Sequence, residues 1–125
     1  MQNEEKTFDV EYYDKPDGTN PAEEFILAQD LKMRAKLFKL LELLELKGNE
    51  LREPYSKFLD DGIFEVRAIQ GTNITRILYF FVVGKKIILT HGFVRKTQKT
   101  PPSEINMAKK YRNEYINRKE QDKNV

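Results

Sequence analysis

The stretch from Ile63 to Val94 constrains the fold most. It holds three apolar, β-branched segments, Ile63–Ile69, Ile74–Val82 and Ile87–Val94, separated only by the turn-like QGTN and VGK. Parallel neighbours need a crossover of a dozen residues or more, so connections this short predict an antiparallel meander. A sheet of that kind must bury at least one face, and the flanking sequence supplies the cover. From Pro21 to Lys47 the spacing is helical, with Phe25, Ala28 and Leu31 on one side and Leu37, Leu40, Leu41 and Leu44 continuing it. A single helix over those residues would run about 40 Å, too long for so small a domain, so a break near Gln29 and Asp30 and a helical hairpin are expected. Asn20, Pro21 and Glu23 form a start signal, and Gly48 a stop.

Upstream, TFDVEYY at 7–13 alternates Phe8, Val10 and Tyr12 with polar residues, the period of a half-buried strand. Residues 49–62, with Pro54 and DDG, read as a loop. After TQKTPP a last amphipathic helix is expected, capped by Thr100, with Pro101 in its first turn and Ile105, Ala108, Tyr111 and Tyr115 on one side. The order is β-αα-βββ-α, an α+β fold with an antiparallel sheet, an N-terminal helical hairpin and a C-terminal helix. At 125 residues the chain suits one domain, 1–125, with 117–125 a polar tail expected to fray.

Composition narrows the function classes. Zero cysteines exclude a disulfide framework, cysteine–zinc ligation and thiol catalysis, and one histidine excludes a multi-histidine metal site. The longest apolar run is seven residues, Ile77 to Val83, and the start MQNEEK is acidic where a secretory signal is basic and then apolar. The chain reads as soluble, intracellular and cytoplasmic, with no membrane partner. It has no glycine-rich phosphate loop, HExxH, nucleophile elbow or convincing carboxylate cluster for a magnesium nuclease. No metal or cofactor is therefore expected.

The net charge of +2 conceals an asymmetry: residues 1–66 sum to −7 and residues 67–125 to +9. No Asp or Glu falls between Arg67 and Ser103, a stretch holding Arg67, Arg76, Lys85, Lys86, Arg95, Lys96 and Lys99. Such a run is either a solvated face or a field that attracts a polyanion, and total exclusion of acids favours the second.

Alternation sorts these residues by face. Arg76 points with Ile74, Leu78 and Phe80, so it must be paired, hold an anion or line a cleft. Arg67 shares a face with Glu65, leaving a local ion pair and a functional role as equal readings. His91 aligns with Leu89 and Phe93, as a satisfied core residue or as an acid–base group whose neutral form nearby cations favour. Arg95, Lys96 and Lys99 lie on a loop that enters a helix N-terminus, where the dipole adds positive potential. These three are the preferred anion site. Phe93 and Tyr79 belong either to the core or to a platform on which bases stack.

The run from Phe64 to Tyr111 resembles the RelE/ParE toxin superfamily, in its phage-derived HigB-like branch. The resemblance rests on Glu65–Arg67, on Arg76–Tyr79 and on HGFVRKTQKTP from His91 to Pro101, and it extends to the upstream strand and helical hairpin. It implies a RelE-like fold and a type II toxin that cleaves mRNA on the translating ribosome without a metal. A cognate antitoxin, HigA-like and of helix-turn-helix type, would silence it. The catalytic positions it implies are Arg76, Lys96 and Lys99, then Arg67 and His91; RNA-binding positions are Arg95, Lys85, Lys86, Phe93 and Tyr79. The C-terminal catalytic tyrosine of some RelE members has no equivalent, since Tyr111 and Tyr115 read as helix-face residues. Two alternatives stay open: a ParE-like toxin of the same fold acting on DNA gyrase, and a non-catalytic RNA-binding module. In the nuclease reading Arg76 stabilises transition-state charge and a lysine, its proton lost through crowding by cations, acts as base. All of this requires Arg76 and the cations after Phe93 to meet in one hollow. It also requires that alanine at Arg76 or Lys96 remove toxicity with the fold intact.

Overall fold

The expected meander forms the centre of the computed structural model, which describes residues 6–123. The elements are β1 (Asp9–Tyr12), α1 (Pro21–Leu27), α2 (Leu31–Lys47), a 3-10 turn at Gly48–Glu50, β2 (Ser56–Asp60), β3 (Ile63–Gln70), β4 (Asn73–Val82), β5 (Lys86–Val94) and α3 (Pro102–Lys123). Of the two ends, residues 1–5 of the acidic start and the last two residues of the polar tail lie outside the described residues. α3 is helical through Lys123, well past the point where the tail begins.

The α+β class stands, with two corrections to the arrangement. The sheet has five strands in the order β1-β5-β4-β3-β2, because part of the expected 49–62 loop is the edge strand β2. It is also mixed: β2 to β5 are antiparallel neighbours, but β1 pairs parallel with β5, Asp9 opposite Lys86 and Tyr12 opposite Leu89. The strand β2 escapes the period-two signal because its apolar residues, Phe58 and Leu59, are adjacent rather than alternating.

Each face of the sheet carries its own core. α1 and α2 cover one face, packing Ile26, Leu37, Leu41 and Leu44 on Val66, Ile77, Tyr79, Ile87 and Leu89. α2 starts where expected: the Asp30 side chain accepts from the Met33 amide at 2.8 Å and separates the two helices. Gly48 ends it at φ 51°, and the ring of Phe8 fills the space a β-carbon would need.

On the other face α3 packs Ala108, Tyr111 and Tyr115 against Tyr13, Ile63, Leu78, Phe80 and Ile88. Few of its side chains are fully buried, and polar contacts assist: Lys109 pairs with Asp60 at the end of β2 and Arg112 with Asp61 in the turn that follows. Tyr13 stacks on Tyr111 and its hydroxyl donates to Glu114. Burial, then that carboxylate, push the Tyr13 phenol well above its usual range.

The pairing of β5 with β4 is irregular at one point. Leu78 lies opposite His91 and Tyr79 opposite Leu89, so Thr90 is an extra, bulged residue. Beyond it the alternation is reversed: Leu89 faces α2, whereas His91 and Phe93 face α3. His91 therefore keeps the expected company of Phe93 but not of Leu89.

The reversal also turns Gly92 towards α1, where the Phe25 ring rests against its α-carbon. Gly92→Ala is expected to cost about 1–3 kcal/mol in urea unfolding, since the added methyl must displace that ring from a packed core. A variant as stable as the parent would show that Phe25 yields without cost.

Candidate nucleic-acid interface

Three strands bring Arg67, Arg76 and Phe93 into one row on the α3 face, Arg67 opposite Arg76 and Arg76 opposite Phe93. Directly facing pairs are about 5 Å apart, so two guanidinium groups side by side need a counter-charge. Glu65 provides it. Its carboxylate is wholly buried and accepts from Arg67 Nε at 2.8 Å and from Arg76 Nη1 at 3.0 Å. Arg67 also lies 3.9 Å from Glu53, so the local ion pair read from the sequence forms and is extended.

Arg76 is only 2% exposed. Its Nη1 also donates to the Thr100 hydroxyl at 2.5 Å and its Nη2 to the Gln98 carbonyl at 3.1 Å, while the Thr100 hydroxyl donates on to Glu65. Burial lowers its pKa, Glu65 opposes that, and a guanidinium keeps its proton throughout. Thus Arg76 does not open onto the hollow expected for it; it lies beneath the 95–100 loop and braces it. Thr100 is spent on the same network, so it does not cap α3. The first carbonyl to accept within that helix belongs to Pro101.

The loop cations stand above this brace. Arg95, Lys96 and Lys99 form no ion pair among the described residues; Arg95 Nε donates to the Thr97 carbonyl at 2.7 Å. With Phe93, Thr97, Pro101 and Glu104 they line a groove of about 350 Å³. A neighbouring hollow of about 400 Å³ shares Arg95, Lys96 and Thr97 and is completed by Thr72, Ile74 and Gln98. Half-buried Phe93 is thus the aromatic of the site.

Other candidates are placed elsewhere. Tyr79 lies on the α2 face, 1% exposed, with its hydroxyl 2.7 Å from Ser56 Oγ. Burial pushes its phenol up to about 12, and its ring cannot reach a base. Lys85, in the β4–β5 turn, and Lys86, the first residue of β5, lie at the far end of that strand from Val94. Eight strand steps of about 3.3 Å put them roughly 26 Å away, and Lys86 is paired with Glu11 at 3.1 Å.

His91 is 5% exposed, its Nε2 3.1 Å from Glu104 Oε1 and its Nδ1 3.1 Å from the Thr90 hydroxyl. Its pKa is lowered, as expected, but by burial rather than by cations, and Glu104 works against the shift. An unfolded chain then binds the proton more readily than the folded one. The stability this group supports is complete above pH 6.5 and falls as pH drops through the folded-state value, by at most about 1.4 kcal/mol per pH unit. Urea unfolding between pH 5 and 8 should show that slope, and His91→Asn should flatten it.

Glu104 is the residue that reading by charge runs passes over. Its signal is positional: it is the first acid after the acid-free stretch, in the first turn of a helix. Among the described residues no cluster of three His, Asp or Glu side chains is placed to hold a metal ion. No helix among them is long and apolar enough to cross a membrane.

The fold and site define a small α+β domain with a basic, aromatic-lined groove where the last strand meets the last helix. The chain belongs to the family described as phage derived protein Gp49-like (DUF891), whose model matches residues 24–113. That span runs from α1 into α3 and includes the whole groove. No curated protein matches the chain.

Proposed function

We propose that this chain is the toxin of a type II toxin–antitoxin pair, a RelE-superfamily, HigB-like endoribonuclease that cuts mRNA on the ribosome without a metal and so inhibits translation in the cytoplasm. Membership of the Gp49-like family supports the toxin reading. The observation that carries it is the groove: three cations without acidic partners among the described residues, on a loop braced from below, beside a half-buried aromatic ring. Such a surface holds a phosphate and stacks a base at once.

RNA carries its own nucleophile, the 2′-hydroxyl. The enzyme must align it, remove its proton, stabilise charge on the phosphate and protonate the departing 5′-oxygen. Because Arg76 faces inward, phosphate contact falls to Arg95, Lys96 and Lys99, and Arg76 positions them. Charge stabilisation by one donor contributes roughly 10²–10³ in rate and acid–base help about 10²–10⁴. Alignment of the RNA must supply much of the remainder, which is the physical reason for using the ribosome as scaffold. A helix-turn-helix antitoxin encoded beside the gene is the expected partner.

Induction of the chain alone, followed by transcript-end mapping, tests this. Codon-linked breaks within translated mRNA are expected. Intact mRNA with broken DNA would indicate a gyrase poison instead, and intact RNA and DNA together a binding module.

A further inference from the structure

The groove contains one acid among its cations. Glu104 is 26% exposed on its side chain and borders the same space as Phe93, Lys96 and Lys99. Oε1 is taken by His91, whereas Oε2 has no hydrogen-bond partner among the described residues. No lysine or arginine lies within ion-pair distance of either oxygen among those residues. Beneath it, His91 faces Thr90 on one side and Glu104 on the other. A carboxylate oxygen only accepts, so the imidazole carries a proton on Nε2 and donates it to Glu104, while the Thr90 hydroxyl divides its single proton between the Leu78 carbonyl at 3.2 Å and Nδ1. The opposite tautomer would set a nitrogen lone pair against a carboxylate oxygen. The Thr90 bulge builds this arrangement, because regular alternation would have turned His91 towards α2.

We propose that Glu104 is the proton acceptor of the groove, taking the 2′-hydroxyl proton of a bound ribonucleotide, and that His91 is the positioning residue that fixes the carboxylate. This rests on the endoribonuclease reading above. A carboxylate carries no proton at neutral pH and accepts one at once, whereas a lysine ammonium must first lose its own. In the step, the 2′-oxygen bonds to phosphorus as its proton passes to Glu104. The bond from phosphorus to the 5′-oxygen breaks, and that oxygen takes a proton from the ammonium of Lys96 or Lys99. The products are a 2′,3′-cyclic phosphate and a 5′-hydroxyl. The charged groups bordering the groove with Glu104 are Arg95, Lys96 and Lys99 from the loop, and the titratable imidazole of His91 reaches it from β5; Tyr111 of α3 faces His91 with ring centroids 5.8 Å apart.

The test is single-turnover cutting of mRNA on programmed ribosomes between pH 5 and 9, with co-sedimentation as the binding readout. Glu104→Gln should bind ribosomes as the parent does but cut about 10²–10⁴-fold more slowly, and should lose the acid-side fall in rate. His91→Gln should keep that fall but shift its midpoint. A Glu104→Gln variant that cuts at the parental rate, or keeps the same acid-side fall, overturns the assignment while leaving the nuclease reading in place. If the unaltered chain cuts nothing, both are overturned. Should Glu104→Gln not fold, Glu104→Asp decides. Its carboxylate is drawn back by one methylene, and cutting about 10²-fold slower with the acid-side fall retained is expected; cutting at full rate overturns the assignment.

Discussion

Glu65→Ala is expected to destabilise the fold by about 3–5 kcal/mol, the range for removing one partner of a buried ion pair. The carboxylate is wholly buried and binds Arg67, Arg76 and the Thr100 hydroxyl together. Without it two guanidinium groups face each other across adjacent strands, one of them sealed from water with no other acid in reach among the described residues. In a domain of this length the loss lowers the melting temperature by on the order of 10–20 °C. Urea unfolding of Glu65→Ala and Glu65→Gln measures it. A loss under 1 kcal/mol in both would mean that water enters the row and solvates the arginines.

The same network revises what alanine at Arg76 can report. The substitution frees the Gln98 carbonyl and one of the Thr100 contacts, so the loop bearing Lys96 and Lys99 loses its brace. Loss of toxicity in Arg76→Ala would therefore follow even if Arg76 never touches RNA. The fold is not expected to be untouched, contrary to the reading from strand alternation alone. Lys96→Ala carries no such complication, because its side chain is exposed and makes no ion pair among the described residues.

Local patterns were legible in the sequence where the physics is local. The meander follows from turn lengths, the break at Asp30 from helix capping, and the Arg67–Glu65 pair from two-residue spacing. Three features depended on contacts that no local pattern encodes. β2 owes its existence to pairing with β3, not to alternation of its own residues. The reversed facing of His91 and Leu89 follows from a bulge at Thr90, and T-H-G-F carries no mark of it. Most instructive is the acid-free run. It is continuous along the chain but not in space: Glu65, Glu53 and Glu11 reach Arg67, Arg76 and Lys86 from outside it. Among the described residues the loop cations Arg95, Lys96 and Lys99 form no such pair, and Glu104 joins them from the next helix.

Replacing those loop cations should have the largest effect on activity. In Arg95→Ala/Lys96→Ala/Lys99→Ala, cutting of ribosome-bound mRNA is expected to fall by at least about 10³-fold, since removing even one charge-stabilising donor costs roughly 10²–10³. Binding to single-stranded RNA should weaken and become less sensitive to salt. With about 0.7 counterions released per phosphate contact, losing three contacts reduces the slope of log K against log salt by about 2. Stability should change by no more than about 0.5 kcal/mol at Lys96 and Lys99, which are exposed and form no ion pair among the described residues, and by about 0.5–1.5 kcal/mol at half-buried Arg95, whose Nε–H donates to the Thr97 carbonyl. Lys85→Ala/Lys86→Ala is the matching control, with comparable charge removed from the opposite end of β5. If charge acts only through the overall field, both variants lose activity in proportion to the charge removed. If the groove grips the phosphate, the control cuts at the parental rate and the loop variant does not.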